Sequence, residues 1–209
     1  MKSFSAVLRV WLLSLLTCAA LAALCFAKID VPVAHRVWHL RHHLSSLDAA
    51  FGTTLILTAE AVVVLGLIIA RLVRGHISRF AETLAIACLA SICAYGINDQ
   101  VLKPFFGIQT PAAVVHGARH AIHFMNGFAG SSFPSGHMVL AGAFAGVFMR
   151  IYRGSIRLLC ALLLLAAVLL VLGDWHFISD VIAGAFLGVS AGILAGEGWG
   201  VHMATSRFG

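Results

Sequence analysis

Charge is what this chain has least of. Only 11% of its 209 residues are Asp, Glu, Lys or Arg, against about a quarter in a soluble globular protein. Hydrophobic residues make up 61% and the mean hydropathy is +0.99. That balance excludes a water-soluble fold and leaves a polytopic membrane protein, one domain by length, covering 1–209. The net charge of +6 does not indicate a nucleic-acid partner, because the basic residues sit in short clusters between apolar runs. Metal-ligand spacing is also missing. All five cysteines (Cys18, Cys25, Cys88, Cys93, Cys160) fall inside apolar runs with no Cys-x-x-Cys pattern, so they read as small buried hydrophobes.

What is present is a series of six apolar runs, about 7–27, 53–73, 80–101, 135–151, 158–173 and 181–198. A helix needs about 20 residues, at a rise of about 1.5 Å each, to cross about 30 Å of hydrocarbon. The first three runs meet that length and the last three fall short of it. The expected fold is all-α, a bundle of six transmembrane helices with no sheet. The first run has Lys2 and Arg9 ahead of it, yet its apolar stretch is longer than a secretory h-region, so it reads as an uncleaved span.

Basic residues orient the bundle. Lys2 and Arg9 precede the first run; Arg71, Arg74 and Arg79 crowd the second connection; Arg150, Arg153 and Arg157 the fourth; Arg207 follows the last run. With six spans all of these lie on one side, which the positive-inside rule makes cytoplasmic. The connections 28–52, 103–134 and 174–180 then face outward. A bacterial inner membrane with a cytoplasmic N-terminus is the expected setting.

Few ionisable residues interrupt the runs. Glu60 lies inside the second, where a carboxylate in hydrocarbon costs on the order of 3 kcal/mol and therefore faces protein or water. Asp99 and Lys103 stand at i,i+4 spacing, which predicts an ion pair. The segment 28–50 carries His35, His39, His42 and His43 with Arg36 and Arg41. It reads as an interfacial amphipathic stretch, since no carboxylate or cysteine completes a metal site.

Two short motifs stand at the mouths of apolar runs: Ser132-Phe133-Pro134-Ser135-Gly136-His137, and Asp174-Trp175-His176-Phe177-Ile178-Ser179-Asp180. His176 and Asp180 are four apart. On a helix start they share a face, so Asp180 can accept one imidazole N–H and leave the other nitrogen a nucleophile. Ser135 and Gly136 offer a hydroxyl and backbone N–H groups at a positive helix end, where a phosphate is well placed. His137 is suited to protonate a leaving oxygen, and Lys103 supplies positive charge. The long connection 103–134 adds His116, Arg119, His120 and His123. A short helix there would gather Arg119 and His123 on one flank, and Arg119 would reach the substrate phosphate or the lipid headgroups.

These motifs resemble the type 2 phosphatidic acid phosphatase superfamily, six-span membrane enzymes acting on lipid phosphates. Its three blocks are Lys-x6-Arg-Pro, Pro-Ser-Gly-His and Ser-Arg-x5-His-x3-Asp. Pro134-Ser135-Gly136-His137 matches the second block completely, and His176 with Asp180 matches the end of the third. Lys103 with Pro111 matches the first in spacing. The resemblance covers roughly 50–200 and implies a phosphohistidine mechanism without a metal. In it His176 attacks phosphorus, His137 protonates the leaving alcohol, and water releases phosphate. Both family arginines are replaced, by Thr110 in the first block and by Leu170 in the third. A guanidinium is hard to replace where charge develops, so a dianionic monoester suffers more from that loss than a diester.

Three functions remain open at this point. One is a lipid phosphatase acting on a prenyl or glycerolipid phosphate. Another is a headgroup phosphotransferase or diesterase using the same histidines. The third is a non-catalytic lipid-binding relative. No cofactor is expected, and the sequence names neither the lipid nor the oligomeric state.

Overall fold

The computed structural model describes residues 4–41, 49–125 and 131–205. Among them all regular structure is helical. The chain runs through α1 (Phe4–Lys28), α2 (Asp30–Arg41), α3 (Ala49–Arg74) and α4 (Arg79–Ile97). A π-helical turn, Asn98–Leu102, then leads into the short α5 (Lys103–Phe106) and α6 (Pro111–Val115). After the second motif come α7 (Gly136–Ile151), α8 (Ile156–Leu172) and α9 (Ile178–Thr205).

Five segments are helical, apolar and long enough to cross a membrane: Ser5–Lys28, Gly52–Arg74, Arg79–Val115, Arg153–Leu172 and Ile178–Gly200. The remaining expected run, 135–151, is the 16-residue α7. At about 1.5 Å per residue it measures about 24 Å, short of the hydrocarbon thickness. Five helices, not six, therefore meet the length of a span among the described residues.

Hydrophobicity does not pick out the helix in the middle, because α8 is more apolar than α7. α7 buries Met138, Val139, Leu140, Ala143, Val147 and Met149, whereas α8 buries only Leu170 and turns Leu158, Leu164 and Leu169 outward. Both read as apolar because lipid and protein interior are alike to a leucine. What puts α7 at the centre is glycine. Gly142 and Gly146 on α7 face Gly188 and Gly192 on α9, and Gly184 of α9 lies against Ser135 and Met138. A Cβ at Gly146 would lie 2.6 Å from the Val189 carbonyl oxygen, and one at Gly184 2.6 Å from that of Ser135. The two backbones touch, as small-residue spacings of four allow. This contact matters for function because the motifs stand at the first turns of these two helices.

The remaining helices brace the pair. α4 packs on α7, and the Ser91 hydroxyl donates to the Leu140 carbonyl at 3.1 Å. Glu60 is buried on α3 against Cys88 and Ser91 of α4, so it faces protein rather than lipid. The turn between α3 and α4 is closed by Ser78, whose hydroxyl caps Ala81 N–H at 3.2 Å, and by the Arg71–Glu82 ion pair at 3.0 Å. The expected interfacial segment contains α2, which buries Asp30, Ala34 and Val37. His42 and His43 lie outside the described residues.

The connection after α5 is tied down rather than loose. Gly107 adopts φ +59° and turns the chain so that His123 N–H donates to the Phe106 carbonyl at 2.9 Å. Ser132 pairs with Ile108 and Gln109 through its N–H and hydroxyl. The short helix expected over His116–His123 is not formed. α6 ends at Val115, and Gly117 at φ +102° diverts the backbone out of the right-handed helical region.

Candidate active site

The first turns of α7 and α9 are joined directly: Ser135 N–H donates to the Asp180 carbonyl at 3.1 Å. Ser135 is the N-cap of α7, its hydroxyl accepting from Met138 N–H at 3.4 Å, and it is fully buried. The loop before it is held by Asn98, whose side-chain amide donates to the Pro134 carbonyl at 3.2 Å. Glycine at 136 has a packing reason: a Cβ there would stand 2.8 Å from the Tyr95 ring and 3.6 Å from the Lys103 Nζ. Gly136 lets these two side chains reach the mouth of α7.

Three residues from the two motifs form an array. Asp180 Oδ2 lies 3.4 Å from His176 Nδ1, and His176 Nε2 lies 3.4 Å from His137 Nδ1. Asp180 Oδ2 also accepts the Phe177 N–H at 2.9 Å, which fixes its rotamer. His176 is not itself on α9, which starts at Ile178; it sits on the turn just ahead and is buried. With Nδ1–H directed to Asp180, the Nε2 of His176 carries the lone pair and faces His137. On the far side of His137, Thr53 Oγ1 lies 2.9 Å from Nε2, and Trp175 stacks on the ring with centroids 5.9 Å apart.

This array opens on a cavity of about 370 Å³ lined by Thr53, Thr54, Tyr95, Lys103, Thr110, Ser131, Ser132, Gly136, His137 and His176 among others. Among the described lining residues there is no arginine. Lys103 is the one ammonium among them, and it pairs with Asp99 at 3.1 Å, as the i,i+4 spacing predicts. The hydroxyl of Thr110 caps Ala113 N–H at 3.3 Å. Leu170 is only 6% exposed and packs with Met138 and Val181. The anion-binding groups that the described residues offer the cavity are thus hydroxyls, the two histidines, the start of α7 and the Lys103 ammonium paired with Asp99.

Arg119 is exposed and is not among the lining residues. Its neighbouring histidines go elsewhere. His116 Nδ1 turns back to the Ala112 carbonyl at 2.7 Å, and the His120 ring lies between Phe26 and Phe177, with centroids 4.2 and 4.4 Å away. The structure thus brings together His137, His176, Asp180, Lys103, Ser135 and Gly136, and leaves Arg119 outside. Sequence reasoning missed Thr53, Tyr95 and Trp175. Thr53 comes from 84 positions away and had no local signal; Trp175, next to His176, did.

A second, larger cavity of about 450 Å³ lies on the other side of the Phe133–Pro134 segment. It is walled by apolar side chains of α1, α9 and the 102–108 segment, including Leu15, Ala22, Phe26, Phe106, Phe133 and Phe186. Among the described residues no group of three or more His, Cys, Asp or Glu is arranged to hold a metal.

No curated protein and no solved structure matches this chain. One family model does. It spans residues 83–198, more than half of the chain and both histidine motifs, and on that match the chain belongs to the PAP2 superfamily.

Proposed function

We propose that this protein cleaves a lipid phosphate ester through a phosphohistidine at His176. Family membership supports a phosphatase-type membrane enzyme. The observation that carries the finer reading is the Asp180–His176–His137 array, with both spacings at 3.4 Å, at the wall of a hydroxyl-lined cavity. The His176 Nε2 lone pair attacks phosphorus as the bond to the ester oxygen breaks, and His137 gives that oxygen its proton. A water then attacks the phosphohistidine, His137 takes a proton from it, and phosphate leaves with His176 restored. Asp180 stabilises the positive charge that develops on the His176 ring.

A second reading is favoured by one feature. With no arginine among its described lining residues, and with Lys103 engaged by Asp99, the cavity offers little charge to a dianionic monoester. Transfer of a phosphorylated headgroup, or diester cleavage, places less charge on phosphorus. A panel of prenyl phosphates, phosphatidate and phosphodiester lipids separates the two. Purified protein is expected to release inorganic phosphate from at least one monoester. New phospholipid without free phosphate would establish transfer, and neither product with any lipid would leave the non-catalytic reading.

The same proposal includes placement. Six crossings, with α7 as a short central one, put the basic clusters on the cytoplasmic side of a bacterial inner membrane and the cavity on the other. After the native cysteines are replaced, Ala118→Cys should react with an impermeant maleimide in intact cells. Labelling only after lysis would invert this topology.

A further inference from the structure

α9 begins at a residue that cannot cap it. Its first turn closes with Val181 N–H donating to the Phe177 carbonyl at 3.2 Å, which makes Phe177 the N-cap. Phenylalanine has no acceptor for the free N–H groups of the residues that follow. Two carboxylates complete the turn instead. Asp180 reaches back to the Phe177 N–H, the reciprocal half of a capping box. The Ser179 N–H, which an N-cap side chain of the helix itself would normally receive, donates to Asp30 Oδ1 at 3.1 Å. The Ser179 hydroxyl donates to Asp30 Oδ2.

Asp30 belongs to the first turn of α2, 149 positions away, and is 1% exposed. A carboxylate so buried costs stability unless it is hydrogen-bonded. Burial pushes its pKa up; the two Ser179 bonds oppose that, Asp180 adds to it, and His120, 3.8 Å away, opposes it. Burial pushes His120 itself down, toward the neutral ring. The charge of Asp30 therefore gains little from its surroundings and works against that of Asp180. Its service to the site is geometric.

We propose that Asp30 caps α9 from another helix and is a positioning residue for the catalytic pair. By holding Ser179 it sets the first turn that places the Asp180 carboxylate beside His176. The consequence for turnover rests on the phosphohistidine reading; the cap does not.

The test uses the purified full chain and two readouts. Amide hydrogen exchange over 177–182 reads the cap, and steady-state kinetics on whichever phosphate ester the wild type turns over reads its effect. Asp30→Ala should speed exchange at these amides at least tenfold. It should lower kcat at least tenfold with KM within about twofold, because the substrate cavity has no part in the cap. Asp30→Asn keeps an acceptor for the Ser179 N–H and should stay within about threefold of wild type in both. Unchanged exchange in Asp30→Ala overturns the cap. Faster exchange with unchanged kcat overturns the positioning role. An Asp30→Asn variant impaired tenfold or more against wild type would assign the role to charge, and this comparison with wild type decides even if Asp30→Ala cannot be recovered folded. Absence of turnover in the wild type would sink the phosphohistidine reading while the exchange arm still judges the cap.

Discussion

His176→Ala should abolish turnover and leave the protein folded. The nucleophile forms the bond on which both half-reactions depend, so no neighbouring group bypasses it. A loss of about four orders of magnitude corresponds to about 5.4 kcal/mol in barrier at about 1.36 kcal/mol per tenfold. The fold should tolerate the change because His176 lies on a turn ahead of α9, and its ring meets other polar side chains rather than the apolar core. An activated aryl phosphate sharpens the assignment. Its leaving group needs no proton, so it should restore much of the activity of His137→Ala and none of that of His176→Ala. Residual turnover of His176→Ala within about tenfold of wild type would remove it as the nucleophile.

Gly192→Leu should prevent recovery of folded protein. At Gly192 an added Cβ would overlap the Ala143 carbonyl oxygen, an atom of the α7 backbone that cannot rotate away. Relief requires α7 and α9 to separate along the contact that also holds Ser135 N–H on the Asp180 carbonyl. Overpacking a flexible core typically costs about 1–3 kcal/mol, and a backbone clash belongs at or above the upper end. Gly66→Leu on α3, which meets open space, is the matched control and should behave like wild type. Size-exclusion profiles and thermal melting in detergent read the difference. A Gly192→Leu protein that melts with the wild type would show that the close helix contact is not what holds the motifs together.

Much of the site was legible because its parts are local. Pro134–His137 and His176 with Asp180 are short motifs at the edges of apolar runs, and Lys103 with Asp99 is a helical spacing. Arg119 was read toward the phosphate because the spacing of its neighbours suits a helix. Gly117 at φ +102° denies that helix, and a lone glycine in a polar stretch does not announce its φ. The glycines at 142 and 146, and at 184, 188 and 192, did carry a signal. Their spacing of four marks a tight helix contact, and it went unread.

By itself, then, the sequence determined a membrane-embedded helical chain, where its long helices fall, and which two histidines and carboxylate stand at the mouths of apolar runs. Scarce charge and long apolar runs permit little else, since every backbone polar group in lipid must be satisfied within its own helix. The tertiary structure decided that α7 rather than the more apolar α8 is enclosed, a choice the glycine spacing signals, and it alone decided that Thr53 stands at His137. It also brought Asp30 to the start of α9. Those contacts join residues 84 and 149 positions apart. They depend on how closely backbones approach, which hydrophobicity along the chain does not encode.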